Sequence, residues 1–314
     1  MFKMKKIAIA SFLLVFSGFI AWGDVPLFSE ITQPSVATLK TRVMTYNILC
    51  RRCYKGPYEE WSLRIKHLQE TVVLAHADLV GLQELGSWND VQDFQSVLPN
   101  HKPVVFENAS LNRYDAVFFY YADRFTLIQQ GGFWLSKHPY SGGLRNWNIP
   151  SMPRHLNWAL LEEKETGKRF IFSNTHFDNN IPNQEKSAEL VIREFSQRFK
   201  NIPIIFAGDM NSSPETEAYK KLSATYSDIK LENTFSLSHV RAAAEPAHAE
   251  SAGVPDNIDH VFVGNASFRV TSWAQWRNSY RSDRGVEMMP SDHLPIIVEL
   301  EFQFDNPSHF GVTE

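Results

Sequence analysis

Cysteine is nearly absent: two residues in 314, Cys50 and Cys53, spaced as C-R-R-C. With no second pair to complete it, a zinc ribbon is excluded. No thioredoxin-like pattern surrounds the pair, which argues against a redox site. A short-loop disulfide and two unpaired thiols both remain open, and neither carries catalysis. A membrane-length apolar run is missing at the N-terminus too. Ile7–Trp22 holds 16 residues, short of the roughly 20 a membrane helix needs. Lys3, Lys5 and Lys6 precede it, and Ala21-Trp22-Gly23 at its end offers small residues for a cut before Asp24, the pattern of a signal peptide over 1–23. An uncleaved anchor is the alternative. No cysteine follows the run, so a lipid-modified cysteine is not expected. Periplasmic or secreted export is the expectation. An excess of basic charge is missing as well: 31 Lys and Arg stand against 35 acids. Removal of 1–23 takes away three lysines and no acid, leaving 28 against 35 and a net charge of −7. Such a chain is a poor generic nucleic-acid binder, because phosphate neutralisation supplies most non-specific affinity. The basic groups Arg51, Arg52 and Lys55, and Arg277, Arg281 and Arg284, read as solvated loops.

No repeat of fixed period and no second linker appear. With 43% hydrophobic residues the chain can build one large core. The expected division is a linker at 24–40, one domain at 41–303 and a tail at 304–314. Within the domain, strand and helix patterns alternate. Arg42–Leu49 and Leu79–Glu84 read as strands, and Trp61–His76 as a helix with Trp61, Ile65, Leu68 and Val72 on one face. Trp88–Leu98 reads as a helix. Strands are expected near 104–107, 116–121 and 125–131. His155–Glu163 and Arg169–Thr175 form a hairpin pattern around Thr166-Gly167. An amphipathic helix at Asn183–Phe199, a strand at Pro203–Ala207 and a helix at Glu215–Leu222 follow. Residues 235–256 are weakly patterned and read as a loop over a site. Strands at Ile258–Val263, Phe268–Trp276 and Leu294–Phe302 close the domain.

What is present is a series of polar marks at the ends or edges of apolar runs: VMTYNIL, VGLQEL, FSNTHFD, IIFAGDMNSSP, NIDHVFV and PSDHLPI. Burying such groups costs several kcal/mol each unless they are partnered, so one shared site is the economical reading. Glu84 ends an apolar strand and suits a hard cation such as Mg²⁺; Asn47 ends its neighbour. Asp209 and Asn211 flank Met210, and in strand geometry residues i and i+2 face one side, so both can enter one cleft. Asp259 and His293 can pair across strands, the carboxylate fixing the imidazole tautomer and raising its basicity. His176 can donate to a phosphoryl oxygen.

This ordered set resembles the endonuclease/exonuclease/phosphatase superfamily over about 260 residues. The resemblance implies an α/β fold, a four-layer sandwich of two packed mixed β-sheets flanked by helices. It also implies metal-assisted hydrolysis of a phosphate ester with Mg²⁺, or Mn²⁺ in its place. By that resemblance Glu84, Asn47 and Asp292 are expected at the metal. His293 and Asp259 are expected as the histidine–carboxylate pair, Asp209 as the group orienting the nucleophile, and His176 and Asn211 on the phosphate. His260 stands where many members have an aromatic residue, so no role follows for it.

The segment Met152–Asn180 resembles a group of exported bacterial hydrolases with an R-x-x-x-W-A strand before N-T-H-x-D. In it Arg154 is expected to bind phosphate, since a guanidinium fork matches phosphate oxygens. An exported phosphoesterase acting as a monomer without a stable protein partner is the leading expectation. The alternatives are a nuclease on DNA or RNA, a sphingomyelinase-like lipid phosphodiesterase, and a non-catalytic binding protein on the same scaffold. Trp273, Trp276 and Tyr280 read as sheet core and edge, and Ser272–Arg284 is too polar for a membrane-seeking aromatic hairpin.

Overall fold

The computed structural model describes residues 38–303 apart from 55, 108–112, 142–146 and 243–257. The expected signal peptide, most of the expected linker, the tail and most of the expected loop at 235–256 lie outside the described residues. The elements run β1 (Thr38–Asn47), α1 (Trp61–Leu74), β2 (Leu79–Gln83), α2 (Trp88–Gln95), β3 (His101–Val104), β4 (Phe118–Tyr121), β5 (Phe125–Trp134), β6 (His155–Glu163) and β7 (Arg169–His176). They continue with α3 (Ile181–Arg198), β8 (Ile204–Asp209), α4 (Glu217–Ser223), β9 (Leu231–Asn233), α5 (Thr234–Leu237), β10 (Arg241–Ala242) and β11 (Asp259–Gly264). The last are β12 (Ser267–Gln275), β13 (Tyr280–Arg281), β14 (Glu287–Met288) and β15 (Ile296–Gln303).

Two mixed sheets result. One has the order β10-β12-β15-β1-β2-β4-β3 and the other β5-β6-β7-β8-β11-β9. Among the described residues, strand alternation divides most of the apolar side chains into three large cores. Val43, Leu79, Phe118, Phe172, Ile205, Val261 and Val298 meet between the sheets. Met44, Tyr46, Val80 and Phe119 point outward beneath α1 and α2. Ile171, Ile204, Phe206 and Phe262 point outward with the apolar faces of α3 and α4. The layers are therefore helix, sheet, sheet, helix, as the resemblance implied.

The inward-facing register changes chemistry along each strand. On β7 it reads Phe170, Phe172, Asn174, His176. On β8 it reads Ile205, Ala207, Asp209; on β1, Val43, Thr45, Asn47; and on β11, backwards, Val263, Val261, Asp259. All four runs turn polar at the same end, because β1, β7 and β8 finish there and antiparallel β11 begins there. The transition is an amide layer. Asn174 reaches across from β7 to donate to the carbonyls of Leu82 and Val117, both at 3.0 Å, and accepts from Gln83 Nε2 at 2.8 Å. Every buried amide in such a layer needs partners, since an unmade hydrogen bond there costs about 1–3 kcal/mol.

Some expectations shift. β1 begins at Thr38, three residues inside the stretch read as linker, because pairing with β15 extends to Gln303. β3 occupies 101–104 rather than 104–107, anchored by its pairing with β4. The helical stripe of α1 is rotated: Arg64 and Thr71 are buried with Trp61, Leu68 and Val72, while Ile65 is only partly covered.

The amide layer has one steric requirement. A β-carbon on Gly81 would lie 2.7 Å from Asn174 Oδ1 and 2.9 Å from its Cγ. Gly81→Ala is expected to lose about 1–3 kcal/mol, seen as a lower denaturant midpoint with an unchanged m-value. A midpoint equal to wild type would contradict the close approach of the sheets.

Candidate active site

The polar ends of the strands meet on Asp209. Residue pairing places His176 beside it on β7 and Asp259 opposite it on β11. Its Oδ2 accepts from Asn47 Nδ2 at 2.9 Å and lies 3.4 Å from His176 Nε2 and 3.7 Å from His293 Nε2. Its Oδ1 accepts from the Asn211 backbone N–H at 2.8 Å. Gly208 permits this packing: its φ is +146°, and a β-carbon there would sit 2.2 Å from the Thr175 carbonyl.

Burial favours the neutral form of Asp209. His176, His293 and the Asn47 amide outweigh burial and hold its pKa below the ordinary carboxylate value. Across the ladder Asp259 is raised by burial and by Asp209, against the pull of His293. The two facing acids are reconciled by His293, whose Nδ1 lies 2.7 Å from Asp259 Oδ2. Burial opposes the imidazolium, but Asp259 and Asp209 raise the His293 pKa well above its ordinary value. Ser291 sets the loop that carries it, donating to the Asn47 carbonyl at 2.7 Å and accepting from the His293 N–H at 3.2 Å.

A second histidine–carboxylate pair faces the same Asp209. Asp115, just before β4, lies 3.3 Å from His176 Nδ1 and accepts from Arg154 Nη1 at 2.6 Å. Burial would raise Asp115, yet Arg154 and His176 hold it well below the carboxylate range. Burial and Arg154 press His176 down, but Asp115 and Asp209 leave it raised. Arg154 Nη1 is also 2.8 Å from His176 Nδ1, so neutral His176 accepts there and turns its Nε2 proton to Asp209. Sequence reading had missed Asp115. The signal was present: in Y-D-A-V-F-F-Y-Y an acid again precedes an apolar strand.

Glu84 follows β2 with φ +70°, an uncommon conformation for a side-chain-bearing residue. Its carboxylate accepts from Asn47 Nδ2 at 3.2 Å and from the Cys50 N–H at 2.7 Å. Asn47 Oδ1 accepts from the Leu49 N–H at 3.0 Å, so its amide meets Glu84 and Asp209 as a donor. Asp292 is exposed beside His293 and feels the charge of Glu84. Glu84 and Asp292 therefore offer oxygen donors of the kind a hard divalent cation takes. Asp209, Asp259 and His293 also bring ligand atoms within 4.8 Å of one another, as do Cys50, Cys53 and Glu84. The cysteines form a disulfide and present no thiolate.

Asn211 departs from the strand-alternation argument. β8 ends at Asp209, Asn211 has φ +46°, and its Nδ2 donates to the Phe177 carbonyl at 3.0 Å. It is held by a turn rather than by strand parity. His260 points to the opposite face, toward Tyr219, and bonds Asn233 and the Ser212 carbonyl. Burial pushes its pKa down to about 4, as befits a structural imidazole.

A family model for the endonuclease/exonuclease/phosphatase family matches residues 44–293. The chain belongs to this family. Its members are phosphoester hydrolases, acting on phosphate-ester or nucleic-acid substrates and generally dependent on divalent metal. Among solved structures, a family protein from Bacteroides thetaiotaomicron is 25% identical, with 88% of this chain and 100% of that one covered and a TM-score of 0.73. A mannosyl-6-phosphatase from the same organism is 26% identical, covering 83% of this chain and 99% of that one, at a TM-score of 0.71. Carbon catabolite repressor protein 4 homolog 3 of Arabidopsis thaliana is 24% identical over 219 residues, 63% of this chain. The match spans only 45% of that plant protein.

The Asp259–His293 pair has a titration signature. With a folded pKa above the unfolded value of about 6.5, protonated His293 stabilises the fold fully below that pH. The contribution fades as pH rises through the folded value. Asp259→Asn is expected to lower the His293 midpoint in an NMR titration and to cost most stability at about pH 6 and below. His155 and His260, both near 4 through burial, are expected to stay silent between about pH 6 and 8. A His293 midpoint unmoved by the substitution would contradict the pairing.

Proposed function

We propose that this protein is an exported phosphoesterase that uses Mg²⁺, with Mn²⁺ as a substitute, to hydrolyse small phosphate esters. The observation that carries this reading is the convergence of two histidine–carboxylate pairs, Asp259–His293 and Asp115–His176, on one buried carboxylate, Asp209. Glu84 and Asp292 are the residues that would hold the cation, with Asn47 fixing Glu84. Bound there, the cation supplies Lewis-acid polarisation of the phosphoryl group.

The chain's own groups do the rest. Asp209 aligns the attacking water. His293 Nε2, whose ring is fixed by Asp259, exchanges the proton at the reacting oxygens. Arg154 and His176 stand together beside Asp209, where with Asn211 they would hold non-bridging phosphate oxygens. The Cys50–Cys53 disulfide suits an oxidising compartment and so favours export. The 26% identity to a mannosyl-6-phosphatase favours a phosphomonoester of a small polyol or sugar.

Readings on a nucleic acid or a lipid head group have less support. Trp273 is 3% exposed in the core between the sheets. Tyr280, on the small β13–β14 hairpin, stacks on His67 at 3.8 Å and donates to Glu59. Neither ring is offered to a base or to a membrane. Trp88 is exposed, with Tyr114, the residue before Asp115, at 6.1 Å between ring centroids.

Purified protein is expected to turn over a phosphomonoester in a panel that also holds a phosphodiester, DNA, RNA, an inositol phosphate and sphingomyelin. Chelator should abolish turnover, and His293→Ala should lower kcat by about 10²–10⁴. Metal-independent turnover, or full activity in His293→Ala, would overturn the reading. Preference for DNA or RNA would move it to the nuclease alternative.

A further inference from the structure

Arg64 is the most unusual buried group outside the reacting cluster. It sits on the packed face of α1 with no exposure. None of its hydrogen bonds goes to a carboxylate. Nη1 donates to the carbonyls of Ile48 at 2.6 Å and Pro290 at 3.1 Å; Nη2 donates to those of Leu49 and of Cys50, the latter at 2.8 Å. A buried guanidinium is costly unless its donors are met; here those of Nη1 and Nη2 are met by the backbone of two loops, while Nε has no partner among the described residues. One loop leads out of β1 toward Cys50. The other leads into Ser291, Asp292 and His293.

The Cys50 end of this arrangement touches Glu84 directly, through the 2.7 Å bond from the Cys50 N–H to Oε2. That N–H is held from three sides. Arg64 grips the carbonyls on both sides of it. The Cys50–Cys53 disulfide closes the turn, with the Cys53 N–H donating to the Cys50 carbonyl at 3.0 Å. Arg51, inside the turn, pairs with Asp90 and Asp93 on α2 and lies over the Trp61 ring at 4.6 Å. The other Glu84 oxygen is fixed by Asn47.

We propose that the Cys50–Cys53 disulfide and Arg64 form a positioning clamp that presents the Glu84 carboxylate to a divalent cation. The inference rests on the proposed reading of Glu84 as a metal-holding carboxylate and adds the groups that aim it. Outer partners of this kind typically govern metal affinity by about 10–100-fold. Through the Pro290 carbonyl, Arg64 also couples the Glu84 side of the mouth to the Asp292–His293 side.

The test uses Mn²⁺ as the probe and the full chain. Binding is read as free Mn²⁺ by electron paramagnetic resonance, independent of turnover. Dithiothreitol reduces the disulfide by supplying two electrons and two protons; the reagent becomes its own cyclic disulfide and the protein keeps two thiols. Cys53 is exposed and within its reach. Reduced protein, the Cys50→Ser/Cys53→Ser double variant and Arg64→Met are each expected to bind Mn²⁺ at least about 10-fold more weakly than wild type. Reoxidation should restore the wild-type affinity, which keeps the test sound where a variant fails to fold. Folded, reduced protein that binds Mn²⁺ as tightly as wild type, even with a lower thermal midpoint, would overturn the clamp and leave the disulfide a stabiliser. Oxidised wild type that binds no Mn²⁺, or Glu84→Gln that binds it equally well, would overturn the metal reading of Glu84 and the clamp with it.

Discussion

The ionised carboxylate of Asp209 is the constraint on which the rest of the site depends. A charge at 1% exposure is tolerable only when donors and counter-charges surround it. Those partners come from both sheets and from two loops: Asn47 from β1, His176 from β7, His293 ahead of β15, and the Asn211 N–H after β8. The packing of the sheets and the electrostatics of the site are thus one problem. The amide layer of Asn174 and Gln83 sets how close the sheets come, and that distance lets Asn47 reach Asp209 from the opposite sheet.

A gradient along the inward register makes this affordable to the fold. Each strand is apolar through the middle of the sandwich, amide-bearing near its end and ionisable at the last position. Hydrophobic burial anchors the strands first, at roughly 1.5–3 kcal/mol for a side chain such as Phe172. The titratable groups then occupy positions whose spacing the sheets have already fixed. Donors preorganised in this way stabilise negative charge developing in a phosphoryl transition state, because nothing has to reorient during reaction.

Much of this was legible in the sequence because strand alternation is rigid. Asp209, His176, Asp259 and Asn47 each end or begin an apolar strand, so the cost of burying them unpartnered pointed to one shared site. His293 was found through its pairing with Asp259, and Asp292 through the family resemblance. The reading failed where position depends on backbone carbonyls or on short loops. Arg64 looks like a solvent-facing residue of an amphipathic helix, and nothing in the periodicity shows that four carbonyls wait beneath it. Asn211 sits in a left-handed turn, outside the rule that was applied to it. β9, β13 and β14 hold two or three residues each, too few to show any alternation. Asp115 was within reach of the strand-edge rule and was passed over, since a single Asp before a strand more often faces solvent.

Family membership fixes the class of chemistry, and the rim decides what enters. The Glu84 N–H donates to the Asp115 carbonyl at 2.8 Å, and Asp115 holds Arg154 and His176, so the carboxylate and the basic groups share one wall. The small hairpin at β13–β14 is tied down on α1 by Tyr280 rather than raised toward a partner.

The most direct measurement is kcat for a phosphomonoester in Asp209→Asn, with Mn²⁺ affinity and the unfolding curve recorded on the same sample. The variant keeps shape but removes the charge on which both histidines converge. A loss of at least about 10³-fold in kcat is expected, in line with the loss of a preorganised group at a reacting centre, with Mn²⁺ affinity within a few-fold of wild type. Activity within about tenfold of wild type in a folded, Mn²⁺-binding variant would contradict the central place given to Asp209.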